Sequence, residues 1–88
     1  MSGQPLPDNP FVTAIIPAHN EADRVGQTAQ AARRAGADQV IVVDDASTDG
    51  TAEAARAAGA DEVITLSRRA GKGGALNAAL PRAQGGYL

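Results

Sequence analysis

The run Val40-Ile-Val-Val43 is four β-branched apolar residues in unbroken succession, closed by the pair Asp44-Asp45. A strand with one wet face alternates apolar and polar side chains, whereas a continuous run belongs to a strand covered on both faces. In a chain of 88 residues a parallel sheet with helices packed above and below it meets that demand. The flanking segments agree. Phe11-Val-Thr-Ala-Ile-Ile16, closed by Pro17, reads as a strand before it, and Glu62 to Leu66 as a strand after it. Between them lie helix-forming stretches. Asn20 is a good N-cap for a helix running to Ala35, with Glu21 and Asp23 in its first turn, and Thr51 to Ala58 forms a second. Gly36 and Gly59 supply left-handed stops. A third helix is predicted from about Gly74 to Gln84, with Pro81 distorting its last turns.

The expected fold class is therefore α/β, a Rossmann-like three-layer α/β/α arrangement on a parallel sheet with right-handed crossovers. Its first three strands should lie in the order 3-2-1, with a fourth pairing against the first. Ala35-Gly-Ala-Asp-Gln-Val-Ile recurs as Ala58-Gly-Ala-Asp-Glu-Val-Ile64. Two copies do not make a solenoid; the same helix stop and turn chemistry feeds two neighbouring strands. Gly85-Gly-Tyr-Leu88 falls just where the fourth strand should begin, so the sequence reads as truncated there, the amino-terminal part of something longer. The first strand would then be an uncovered edge, which admits self-association. Residues 1–10, rich in Pro, Gly, Gln, Asp and Asn, read as a flexible lead-in to a partial domain over 11–88.

Composition closes several routes. With no cysteine there is no disulfide framework, thiolate metal site or thiol nucleophile. A net charge of −2 and aromatic residues at 2% argue against a nucleic-acid surface built on basic charge or base stacking. No apolar run approaches the roughly 18 residues of a membrane span, and residues 1–10 lack the basic start and apolar stretch of a secretory signal. The cytoplasm is the default expectation. Of the 38 hydrophobic residues 20 are alanine, so only 18 larger apolar side chains can fill the core.

In a doubly wound sheet, ligands sit at the carboxyl ends of the strands. The loops there are Pro17 to Glu21, Asp44 to Gly50 and Ser67 to Gly74, the stretches richest in polar and glycine chemistry. Asp44 and Asp45 directly follow a buried strand, where a carboxylate needs partners; Asp45 can accept hydrogen bonds from a base or ribose, or hold a metal. Ser47, Thr48 and Asp49 suit capping of the next helix. Gly71-Lys-Gly-Gly74 before a helix suits an anion cradle, with Lys72 adding a full charge. It is not a phosphate-binding P-loop, because Gly73 stands where Ser or Thr is required. The first loop lacks the G-x-G-x-x-G of a dinucleotide site. His19, the only histidine, reads as a loop residue, and Arg68 and Arg69 as a solvated pair.

Taken together, Ile15-Ile-Pro-Ala-His-Asn-Glu21, Ile41-Val-Val-Asp-Asp-Ala-Ser-Thr-Asp-Gly-Thr51 and Gly71-Lys-Gly-Gly-Ala-Leu-Asn77 resemble the opening of family 2 glycosyltransferases, which have the GT-A fold. Polyprenyl-phosphate sugar transferases and glucosyl-3-phosphoglycerate synthase have similar openings. The resemblance covers residues 11 to 88. It implies transfer of a sugar from a nucleotide-diphosphate sugar to an acceptor, with a divalent metal, Mg or Mn, in the complete enzyme. Pro17, Ala18 and Glu21 would line the nucleoside pocket, Asp45 would bind the base, and Lys72 would reach the base or phosphate side.

The chain departs from the family pattern in three places. His19 stands where Tyr is frequent, and Arg69 where Asn often precedes the glycine loop. No acid follows Glu62, so the D-x-D motif for the metal and the carboxylate base are both missing. On this reading the 88 residues alone transfer no sugar, since metal neutralisation of the leaving diphosphate supplies several kcal/mol. The competing reading is a non-catalytic, truncated nucleotide-binding module. An aspartate-dependent phosphotransferase fits less well: its Asp-x-Asp would follow the first strand, where Pro17 and Ala18 stand.

Overall fold

The structure, a computed structural model, describes residues 11–84 and 86–87. The lead-in predicted over 1–10 lies outside them. Strands β1 (Val12–Ala18), β2 (Gln39–Asp45), β3 (Glu62–Leu66) and β4 (Gly86–Tyr87) form one sheet in the order β3-β2-β1-β4. Every pairing is parallel, with Ile15 opposite Ile41 and Val43 opposite Ile64. Helices α1 (Val25–Arg34), α2 (Thr51–Ala57) and α3 (Gly71–Ala79) connect them, and a 3₁₀ turn (Leu80–Arg82) follows α3. This is the expected order.

Strand β2 is buried along its whole length, as its unbroken apolar run requires. Successive side chains point to opposite faces. Val40 and Val42 pack with Val25 and Ala29 of α1 and Ala55 of α2. Ile41 and Val43 pack against Ala75 and Ala79 of α3. The helices thus meet the sheet mainly through alanine, which lets backbone approach backbone where few large side chains are available. Gly74 follows the same rule: a Cβ there would collide with the side chain of Ala70.

The repeated segment has a structural cause. Gly36 (φ 111°) and Gly59 (φ 91°) are both left-handed. The Gly36 amide donates to the Arg33 carbonyl and the Ala37 amide to Ala32; Gly59 and Ala60 repeat this with Arg56 and Ala55. Both helices therefore end in the paired bonds of a Schellman motif. The next residue then fixes the start of the neighbouring strand. Asp38 exchanges hydrogen bonds with Val12, its carboxylate accepting from the Val12 amide at 2.9 Å, and Asp61 does the same with Val40 at 2.7 Å. The repeat lies at the amino ends of the strands, opposite the loops where ligands are expected.

Four sequence expectations shift. Helix α1 begins at Val25 rather than after Asn20, because the Asn20 side chain is engaged elsewhere and Asn20 itself is left-handed (φ 52°). Pro17 does not end β1 but lies inside it, opposite Val43. Among the described residues β4 meets β1 at Val12 and Thr13, so Pro17 interrupts no pairing with β4, the circumstance in which a strand accepts proline. Helix α3 starts at Gly71, three residues early, and stops at Ala79, ahead of Pro81. Finally, β1 is not a wholly uncovered edge, since Gly86–Tyr87 already pairs with its first residues.

Candidate functional site

The carboxyl ends of β1, β2 and β3 open onto one cavity. Pro17, Ala18, Glu21, Asp45 and Lys72, the five residues singled out in the sequence, all line it, joined by His19, Arg69 and Gly71. The cavity measures about 120 Å³. Pro17, Arg69 and Lys72 are exposed, while Ala18 and Asp45 are buried.

Two of the three loops are sewn together. Three consecutive backbone amides of the β1 loop donate to side-chain oxygens of the β2 loop: Asn20 to Ser47 Oγ at 2.8 Å, Glu21 to Thr51 Oγ1 at 3.0 Å and Ala22 to Asp49 Oδ2 at 3.2 Å. In return, Asn20 Oδ1 accepts from the Thr48 amide at 2.8 Å. Left-handed backbone at Asn20 and Ala46 (φ 58°) makes this crossing geometry. Of the trio expected to cap α2, only Asp49 reaches the start of that helix, accepting from the Thr51 amide at 3.0 Å. Ser47 and Thr48 instead hold Asn20, which is why Asn20 cannot cap α1.

His19 belongs to the same stitching. Its Nδ1 lies 2.8 Å from the Asp45 carbonyl oxygen, and a carbonyl only accepts, so Nδ1 carries the proton. Nε2 then accepts from Asn20 Nδ2 at 3.2 Å. The Glu21 carboxylate accepts from the His19 amide at 3.3 Å and faces Arg24 at 3.5 Å.

The adjacent acids have separate tasks. Asp44, buried, accepts from the Ser47 amide at 3.0 Å and shapes the turn. Asp45 accepts from the amides of Ala70 (2.7 Å) and Gly71 (2.9 Å) and from Arg69 Nε (3.2 Å). Of the glycine loop read as an anion cradle, the Gly71 amide is thus already engaged by Asp45. The Ala70 amide is the main reason that the Asp45 carboxyl sits below its ordinary value; Gly71 and Arg69 add to it, and desolvation opposes them. Asp49 is lowered as well, chiefly by the Thr51 hydroxyl, with the Ala22 and Thr51 amides helping against desolvation.

Both carboxyls ionise more readily folded than unfolded. The stability that they contribute is complete above the ordinary carboxylate value of about 4 and is lost as the pH falls through the lower folded-state values. Thermal unfolding followed from pH 6 to pH 2 should therefore show a melting temperature dropping below about pH 4. Asp49→Asn should melt lower at pH 6 and show a shallower acid decline; an unchanged decline would assign it to other groups.

Sequence reasoning passes over two lining residues. Arg69, expected to be solvated, bonds to Asp45; the signal is its place directly before a glycine loop at the end of the neighbouring strand. His19, expected to be an ordinary loop residue, bonds to a carbonyl 26 residues away, and nothing local in the sequence marks that partner. Among the described residues no group of three or more His, Cys, Asp or Glu could hold a metal ion. The residues present do not fit the divalent metal that the resemblance implies. No helix among them is long and apolar enough to cross a membrane.

Comparison with known proteins meets this geometry from outside. The sequence model for "Glycosyl transferase family 2" matches residues 13–88. Glucosyl-3-phosphoglycerate synthase from Mycobacterium tuberculosis, in complex with Mn2+, UDP and glucosyl-3-phosphoglycerate, is similar with a TM-score of 0.73 at 27% identity. That match covers 90% of this chain and 33% of the other. Mannosyl-3-phosphoglycerate synthase from Rubrobacter xylanophilus is similar with a TM-score of 0.72 at 36% identity, covering 86% of this chain and 28% of that one. The chain thus spans about a third of the length of these structures. Among curated proteins none matches.

Proposed function

The chain belongs to glycosyl transferase family 2, and from that membership we propose that its cavity binds the nucleoside end of a nucleotide-diphosphate sugar, the donor in transfer of a sugar to an acceptor. The observation that carries this reading is the convergence of Pro17, Ala18, Glu21, Asp45 and Lys72, drawn from three loops, on one cavity at the carboxyl ends of the strands. Pro17 and Ala18 supply an apolar wall for a base. Asp45 accepts from base N–H or ribose O–H groups, Glu21 gives a second carboxylate at the rim, and Lys72 offers positive charge to the diphosphate. Glucosyl-3-phosphoglycerate synthase is solved in complex with Mn2+ and either UDP or UDP-glucose, which supports a nucleotide sugar as the ligand class. The transfer step itself is assigned to no residue of this chain: no acid follows Glu62. The 88 residues act in this reading as the nucleotide-binding part of the enzyme.

Calorimetric titration with UDP-, GDP- and ADP-glucose tests the proposal. One of the three should bind, and Asp45→Ala, which removes the acceptor altogether, should abolish detectable binding. If none of them binds at millimolar concentration, the reading fails.

A further inference from the structure

We propose that the connection from β3 to α3 is a latch fastened on the Asp45 carboxylate, and that a nucleotide reaches Asp45 by displacing Arg69, Ala70 and Gly71 from it. The inference rests on the nucleotide-binding reading above and adds how the site is opened. Asp45 is only 3% exposed, and both its oxygens are engaged by groups of the β3–α3 connection. An ionised carboxylate offers about four acceptor positions, so these three bonds leave one for a ligand.

What holds the connection down is mainly Asp45. Residues Ser67 to Gly73 are all exposed, so little apolar packing restrains them, and segments of this kind open at low free energy. Gly71 is left-handed (φ 73°), and a Cβ at that position would meet nothing within 4 Å; its conformation answers to the chain path, not to crowding. The other two loops are cross-bonded from His19 through Thr51, so the β3–α3 side is the one free to move. Once it moves, a buried carboxylate is left short of donors, which is costly. A ligand that replaces the latch must therefore bring N–H or O–H groups to Asp45, as a nucleoside does and a bare phosphate does not.

Asp45 variants would disturb latch and ligand together, so the test weakens the other half. Gly71→Ala strains the left-handed turn without adding a clash and should raise the affinity of the full chain for its preferred nucleotide among UDP, GDP and ADP about fivefold. Arg69→Ala, which removes an exposed ion pair, should raise it about twofold. Both should bind faster than the wild type. Without any variant, hydrogen exchange should find the Ala70 and Gly71 amides protected in the free protein. Binding with those amides unprotected, or with Gly71→Ala unchanged or weaker, overturns the latch and leaves the nucleotide reading standing. Protected amides with no nucleotide bound by any of the three proteins overturn that reading, and the latch with it.

Discussion

Ile41→Ala is expected to lower the free energy of unfolding by about 2–5 kcal/mol. Ile41 is fully buried at the middle of β2, on the face covered by α3. Its buried partners on that face are Val43, Ala75 and Ala79. Ala75 and Ala79 have no rotamers with which to fill a void, Ile15, Ile64 and Leu66 pack at its border, and the cavity volume that remains is what raises the cost of such truncations. Small domains carry about 0.05–0.15 kcal/mol of stability per residue, or roughly 4–13 kcal/mol for this chain. One such substitution therefore removes a large share of it. The loss should extend to the site, because α3 is seated on Ile41 and its first residues are tied to Asp45. Urea unfolding followed by circular dichroism measures the effect. A change below about 1 kcal/mol would mean that α3 is not firmly packed on β2.

At the opposite end of the sheet, Gln39→Leu should cost about 2–3 kcal/mol. Gln39 is buried, its Oε1 accepting from Thr13 Oγ1 at 2.7 Å and from the Gln84 amide at 3.0 Å, while Nε2 donates to the Arg82 carbonyl at 3.1 Å. Leucine fits the volume but removes all three bonds, and the Thr13 hydroxyl, fully buried, is left with its full desolvation penalty. Gln39→Glu keeps the two accepted bonds and loses the donor, turning a carboxylate toward the Arg82 carbonyl; it should be no better. The repeat makes the comparison sharper. At the equivalent position of the second copy, Glu62 receives the Arg82 guanidinium at 3.0 Å. Arg82 is thus held through its backbone by one copy and through its side chain by the other. The amide is required only where a carbonyl must be met. Loss of protection at the Gln84 amide, measured by hydrogen exchange, should accompany the loss of stability. If Gln39→Leu unfolds at the wild-type urea concentration, this network does not hold the lead into β4.

Much of this was legible because it depends on local chemistry. Val40 to Val43 announced a strand buried on both sides, and the two Ala-Gly-Ala-Asp segments announced two helix ends feeding two strands. The readings that failed involve competition between distant partners. Asn20 is a good N-cap by type, yet Thr48, 28 residues on, takes its side-chain oxygen. Pro17 is a strand breaker by rule, yet it lies inside β1, opposite Val43. Arg69 reads as a solvated residue by type, yet its guanidinium meets Asp45, 24 residues back.

From the sequence alone came the alternation of strands and helices, the strand order and the three loops whose residues face a common cavity, because periodicity, glycine stops and crossover handedness act over a few residues or through general rules of chain packing. Only the tertiary structure decided which polar group bonds to which. Hydrogen bonds are short and directional, so their partners are chosen by where the completed fold sets each donor and acceptor. That is how Arg69, Ala70 and Gly71 come to close on Asp45, a contact between segments 24 to 26 residues apart.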